Sequence, residues 1–131
     1  MHLKHLTLQG YKSFADKTEF EFPEGITAIV GPNGTGKSNI ADGIRWALGE
    51  RSMSTLRAKS SADMIFAGGD GRARAGMAEV SLTFDNSGGG LPIEFSEVTI
   101  SRRAYRSGEN EYLINGSQVL LRDIEELLAE S

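Results

Sequence analysis

Hydrophobic and polar positions change period several times along this chain, and each period selects a different element. Residues 3–9 read as a strand, and Thr18-Glu19-Phe20-Glu21-Phe22 alternates as an antiparallel strand with one wet face does. Pro23-Glu24-Gly25 turns the chain into Ile26-Thr27-Ala28-Ile29-Val30, a short, mostly β-branched run that predicts a strand buried on both faces. The period then becomes helical: Ile40, Ile44, Ala47 and Leu48 recur on one face, and Gly49 stands as a C-terminal stop. A polar stretch over residues 51–62 leads to Met64-Ile65-Phe66, closed by Gly68-Gly69-Asp70-Gly71. Residues 79–84 alternate again, Gly88-Gly89-Gly90 forms a flexible loop, and residues 93–105 read as one or two further strands. Asn115-Gly116, between Glu111-Tyr112-Leu113-Ile114 and Gln118-Val119-Leu120, predicts a hairpin turn. Over residues 121–129, Leu121, Ile124, Leu127 and Leu128 share one helical face, and no terminator follows before Ser131, as expected of a chain cut short. There is no internal repeat and no low-complexity tract.

Between the buried strand and the first helix lie Gly31-Pro32-Asn33-Gly34-Thr35-Gly36-Lys37-Ser38, which match the phosphate-binding loop G-x-x-x-x-G-K-[ST] in the setting its mechanism requires. Gly31, Gly34 and Gly36 let successive N–H groups turn inward around phosphate oxygens, and the helix behind them adds its positive end. Lys37 is expected to reach the β- and γ-phosphates, and the Ser38 hydroxyl to complete the coordination of a bridging Mg²⁺. The bland alternative, a glycine-rich turn ending in Lys-Ser, has two local penalties against it. Glycines weaken a helix start, and a lysine cation opposes the dipole there. Such rules broken together mark a functional loop.

Composition narrows the context. With 131 residues, 39% of them hydrophobic, the chain suits one domain, and it is small for a complete nucleotide hydrolase. A net charge of −4 offers no global attraction to nucleic acid, so DNA contact needs a local patch. The one basic stretch carries Arg45, Arg51, Arg57, Lys59, Arg72 and Arg74 against Glu50, Asp63 and Asp70, a pattern more often that of a solvated face. No cysteine is present, which excludes disulfides and thiolate metal sites. No apolar run approaches a membrane span and the first residues lack a secretion signal's apolar core, so a reducing cytoplasm is the expectation.

Taken in order, several segments resemble the N-terminal head segment of structural maintenance of chromosomes (SMC) proteins, the bacterial chromosome-partition type in particular. They are Gly10-Tyr11-Lys12-Ser13-Phe14-Ala15-Asp16, the phosphate loop running into Ser38-Asn39-Ile40, Ile44-Arg45-Trp46-Ala47-Leu48-Gly49-Glu50, Leu56-Arg57, Ile65-Phe66-Ala67-Gly68, and Ala78-Glu79-Val80 through Phe84-Asp85-Asn86. The resemblance covers essentially the whole chain. Its one visible departure, Thr35 where the family usually has serine, leaves intact a position that offers mainly its backbone N–H.

The resemblance implies an ATPase head related to those of ABC transporters, assembled from the two ends of one long chain that a coiled-coil arm and a hinge separate. Two such heads then sandwich two ATP molecules. This chain resembles the first half. By the same resemblance, Lys12, Ser13 and Asn39 lie beside the nucleotide, and Arg57 belongs to a loop that approaches the phosphates and links nucleotide state to DNA. The implied cofactors are ATP and Mg²⁺. The implied partners are the C-terminal half of the same head, a second head, DNA and an accessory kleisin-type subunit, in a nucleoid-associated cytoplasmic protein.

Hydrolysis also needs an Asp for Mg²⁺ and a Glu to activate water, at the end of a buried strand. The nearest candidate, Val80-Ser81-Leu82-Thr83-Phe84-Asp85, has polar residues at every second position, which predicts a strand with one exposed face. Neither a Leu-Ser-Gly-Gly signature nor the expected glutamine loop occurs, so the chain is expected to bind ATP without hydrolysing it. Two rival readings are a RecF- or RecN-like repair ATPase and a small phosphate-loop nucleotide kinase. Lys12-Ser13-Phe14 and Trp46-Ala47-Leu48-Gly49-Glu50 favour SMC over the first, and mostly hairpin-linked strands disfavour the second. The expected fold is α/β: a phosphate-loop core joined to a largely antiparallel, hairpin-built sheet, the N-terminal lobe of an ABC-type head.

Overall fold

The alternating segments assemble into one six-stranded sheet. A computed structural model describes residues 2–22, 35–49, 61–69, 73 and 75–129. The strands are β1 (His2–Gln9), β2 (Thr18–Glu21), β3 (Met77–Asp85), β4 (Glu97–Tyr105), β5 (Asn110–Ile114) and β6 (Ser117–Val119). Their order across the sheet is β2-β1-β3-β4-β5-β6, and every described pairing is antiparallel. The predicted strand over Ile26-Thr27-Ala28-Ile29-Val30 lies outside the described residues, as does most of the polar stretch over 51–62.

The period of two sorts the side chains by face. Leu6 and Leu8 of β1, Val80 and Leu82 of β3, and Val98 and Ile100 of β4 are wholly buried on the core face. The opposite face is polar: Ser81 and Ser101 hydroxyls meet at 2.8 Å, Thr83 and Thr99 at 3.0 Å, and Arg103 donates to Glu79. Such cross-strand pairs stabilise a sheet by a few tenths of a kcal/mol to about 1 kcal/mol each.

Two helices cover the core face. The longer, α1 (Thr35–Ala47), has no acidic residue in its first turn and Arg45 in its last, where a cation suits the dipole. It ends as expected at Gly49, whose φ of 101° belongs to the left-handed region and whose N–H reaches the Trp46 carbonyl at 3.1 Å. A Cβ on Gly43 would sit 2.9 Å from Leu8 Cδ2, so glycine there lets α1 lie close on β1. The second helix, α2 (Leu121–Ala129), matches its predicted bounds and buries Ile124 and Leu127, worth roughly 2 kcal/mol each. Asp123 starts it, its carboxylate accepting the Leu120 N–H at 2.9 Å.

The predicted hairpin is present. Asn115 and Gly116 both take positive φ, 49° and 83°, the signature of the tight turn that matches strand twist. Residues 93–105 hold one strand, within the expectation of one or two, but it starts later than expected: ladder pairing begins only at Glu97. The preceding carbonyls are taken by one buried side chain, because Asn86 Nδ2 donates to Ile93 O at 3.1 Å and Phe95 O at 2.9 Å while Oδ1 accepts the Leu91 N–H at 2.7 Å. Met64-Ile65-Phe66 forms the end of a 3-10 turn (Ser61–Met64) and a bridge from Ile65 to Tyr11.

Candidate functional site

The candidate site forms where the turn after β1 meets the front of α1. Gly10 and Lys12 adopt positive φ, 65° and 46°, so the chain reverses tightly, with Tyr11 and Phe14 exchanging backbone hydrogen bonds at 3.1 and 2.7 Å. The segment after the 3-10 turn clamps it from outside: Lys12 N–H donates to Met64 O, and Phe66 N–H to Gly10 O, both at 2.7 Å. Arg106 in turn holds that segment, donating to Ala75 O at 2.9 Å and Phe66 O at 3.0 Å.

Two side-chain contacts dock the turn on α1. Lys12 Nζ lies 2.9 Å from Asp42 Oδ2 in a nearly buried pair, and Asn39 Nδ2 donates to Ser13 Oγ at 3.0 Å. Arg45 adds a second, exposed cation 3.6 Å from Asp42. A groove of about 250 Å³ opens beside the turn, lined by Ser13, Phe14, Asp16, Thr18 and Phe66 among others. Lys12, Ser13 and Asn39, three residues singled out from the sequence, are thus brought together. Thr35, Gly36, Lys37 and Ser38 form the helical first turn of α1. Gly31, Pro32, Asn33, Gly34 and Arg57 lie outside the described residues, as do Arg51, Lys59, Arg72 and Arg74 of the basic stretch.

Two residues near the site were missed by the sequence reading. Asp42 shares a helical face with Asn39 and Trp46, a spacing that points a carboxylate inward. Arg102 falls in register with Val98, Ile100 and Ala104 on the core face, and is only 5% exposed. Its Nη1 donates to the Trp46 carbonyl at the end of α1 at 3.0 Å, and its Nε to Asn110 Oδ1 at 3.1 Å. The guanidinium lies over the Trp46 and Tyr112 rings, 4.6 and 5.0 Å from their centroids. Burial lowers its pKa from the usual arginine value, opposed by Tyr112 and Tyr11.

The strand weighed for a hydrolytic carboxylate, β3, is antiparallel to both its neighbours, with Glu79, Ser81, Thr83 and Asp85 off the core face. The Asp85 carboxylate accepts the Ser87 N–H at 2.9 Å, and this bond holds its pKa below the usual value. Among the described residues no group of three or more His, Cys, Asp or Glu is placed to hold a metal. No helix among the described residues is long and apolar enough to cross a membrane.

Comparison with known proteins gives a consistent result. The sequence profile of the RecF/RecN/SMC N terminal domain matches residues 2–131. The Chromosome partition protein Smc of Mycolicibacterium paratuberculosis is 55% identical over all of this chain, which spans 11% of that protein's length. A solved structure from work on ATP-driven dimerization and DNA-stimulated activation of SMC ATPases superposes with a TM-score of 0.93 at 39% identity, covering 99% of this chain and 79% of that one. An Smc head domain with an extended coiled coil, bound to the C-terminal domain of ScpA from Pyrococcus furiosus, gives 0.93 at 41% identity, covering 98% and 33%. The recombination mediator RecF shares the fold alone, with a TM-score of 0.67 at 22% identity over 91% of this chain and 28% of that one.

Proposed function

The chain belongs to the RecF/RecN/SMC N-terminal domain family, and from that premise we propose that it is the ATP-binding N-terminal half of an SMC ATPase head acting in chromosome partition. The observation that carries the reading is the join of sequence to structure. The G-x-x-x-x-G-K-S loop runs straight into the first turn of α1, in a fold that superposes on SMC heads at a TM-score of 0.93. A helix beginning there, with no acidic residue in its first turn, presents N–H groups and a positive dipole end to an anion, so the site fits a nucleoside triphosphate. Gly31 through Ser38 hold the phosphates, with Lys37 as the cation and the Ser38 hydroxyl as a ligand of Mg²⁺. Lys12 and Ser13 from the turn and Asn39 from α1 flank the nucleotide, and Arg57 approaches the phosphates. When bound, Mg²⁺ neutralises the phosphate charge.

The chain spans about a tenth of the length of the relatives it matches, so the missing part supplies the rest of the active site. The complete head hydrolyses ATP on engaging a second head. Its partners are the C-terminal half of the same head, DNA and a kleisin-type subunit such as ScpA, which is bound to related heads. Its place is the nucleoid in the cytoplasm. Titration calorimetry with Mg·ATP tests the core of this reading. Lys37→Ala is expected to weaken binding by roughly 2 kcal/mol or more through loss of a charge-assisted bond, and equal affinity of variant and parent would refute the site.

A further inference from the structure

We propose that Arg102 is a positioning residue for the nucleotide site. It ties the β4–β5 hairpin to the rear of α1, so that the hairpin's position sets how firmly the front of the helix holds a phosphate. The proposal rests on the reading of residues 31–38 as an ATP site.

One side chain here joins three elements: Arg102 from β4, Trp46 from α1, and Asn110 with Tyr112 from β5. Val98, Ile100 and Ala104 occupy the equivalent positions along β4, so a cation breaks the local pattern on a face that otherwise packs aliphatic groups. Burial disfavours its charge, and the end of α1 compensates: a carbonyl at the negative pole of the dipole accepts the bond, and the Trp46 ring lies beneath. The planar fork is essential to this arrangement, because a lysine cannot lie flat over rings and donate in two fixed directions.

The second turn and middle of α1 have their own anchors, Ser13 on Asn39 and Lys12 on Asp42, both from the turn after β1. The 13-residue helix α1 is thus held by the turn at Asn39 and Asp42 and by Arg102 at its last turn, where Tyr11 of the same turn also packs on Trp46, 5.4 Å between ring centroids. Rigid helices pass a rear displacement to the front, and a shift of about 1 Å in a binding constellation can cost about a hundredfold in function. Displacement of the hairpin by anything that binds it is thereby felt at the phosphate loop.

The test uses the 131-residue chain at a temperature where every variant stays folded. Arg102→Lys keeps the charge and removes the fork, Arg102→Met keeps the bulk, and Ile100→Val supplies a stability loss from the same strand that leaves the Arg102 contacts in place. The two Arg102 variants are expected to bind Mg·ATP about five- to tenfold more weakly, with Ile100→Val within about twofold of the parent. Amide hydrogen exchange is read in parallel. Arg102→Lys should speed exchange at residues 39–42, about one to two turns ahead of Trp46 in the helix, and Ile100→Val should not. Parent-like exchange at 39–42 in Arg102→Lys overturns the proposal whatever the ATP result, and so does an affinity loss that merely tracks stability across the variants. If Arg102→Met fails to fold, Arg102→Lys decides. Equal ATP binding by the parent and Lys37→Ala would instead refute the site assignment, leaving the exchange measurement to judge the coupling.

Discussion

Lys12 and Asp42 tie the turn after β1 to the middle of α1. Asp42 is 3% exposed, and a carboxylate removed from water that far needs its cation. Replacing Lys12 with methionine keeps the bulk and strands the charge, with the exposed Arg45 at 3.6 Å as a weaker substitute. Lys12→Met is expected to cost about 2 kcal/mol in urea unfolding, and Lys12→Met with Asp42→Asn less than the sum of the two single changes. Additive losses would mean that the pair does not interact. At this scale the sequence was legible in part. The proposed phosphate loop stands out because glycines and a lysine there break local helix rules, whereas Asp42 and Arg102 resemble ordinary surface charges until the faces of α1 and β4 are counted out. A period-two reading of residues 98, 100, 102 and 104 would have put the arginine inside.

Among the elements, turns carry the most stringent demands. Gly10 and Gly116 both hold positive φ, 65° and 83°, yet their surroundings differ. A Cβ on Gly10 would lie 2.2 Å from the Met77 carbonyl oxygen, part of the backbone of β3, whereas one on Gly116 would meet nothing within 4 Å. Gly116→Ala should therefore cost only the conformational strain, about 1 kcal/mol, and Gly10→Ala should cost at least about twice that, because the backbone must also shift. Equal changes in urea midpoint for the two variants would show that the crowding at Gly10 is relieved at no cost. Hairpin β5–β6, both helices and the alternation of β3 were legible because each has a local signal in period, turn pair or cap. The late start of β4 was not. Asn86 competes for the carbonyls of residues 93 and 95 from several positions away, and hydropathy carries no trace of that.

For the whole molecule, the proposal that this is the binding half of an ATPase head turns on where the hydrolytic carboxylates lie. The proposed phosphate-binding residues precede and open α1 in sequence, while β3, the strand weighed for the hydrolytic carboxylates, is antiparallel and half wet, with Asp85 engaged in a turn with Ser87. Under the proposed function, a water-activating glutamate at the end of a parallel strand beside the loop comes from the other half of the head; the chain spans about a tenth of the length of the relatives it matches. The purified chain is expected to show no ATP turnover above a Lys37→Ala control. Mixed with the C-terminal half of the same parent, it should hydrolyse ATP slowly, with stimulation by DNA that Arg57→Ala removes while sparing ATP binding. Phosphate release from the chain alone, from the mixture and from the mixture with DNA separates these clauses. Turnover by the chain alone that vanishes in Lys37→Ala would place a complete catalytic apparatus within these 131 residues and overturn the division into halves.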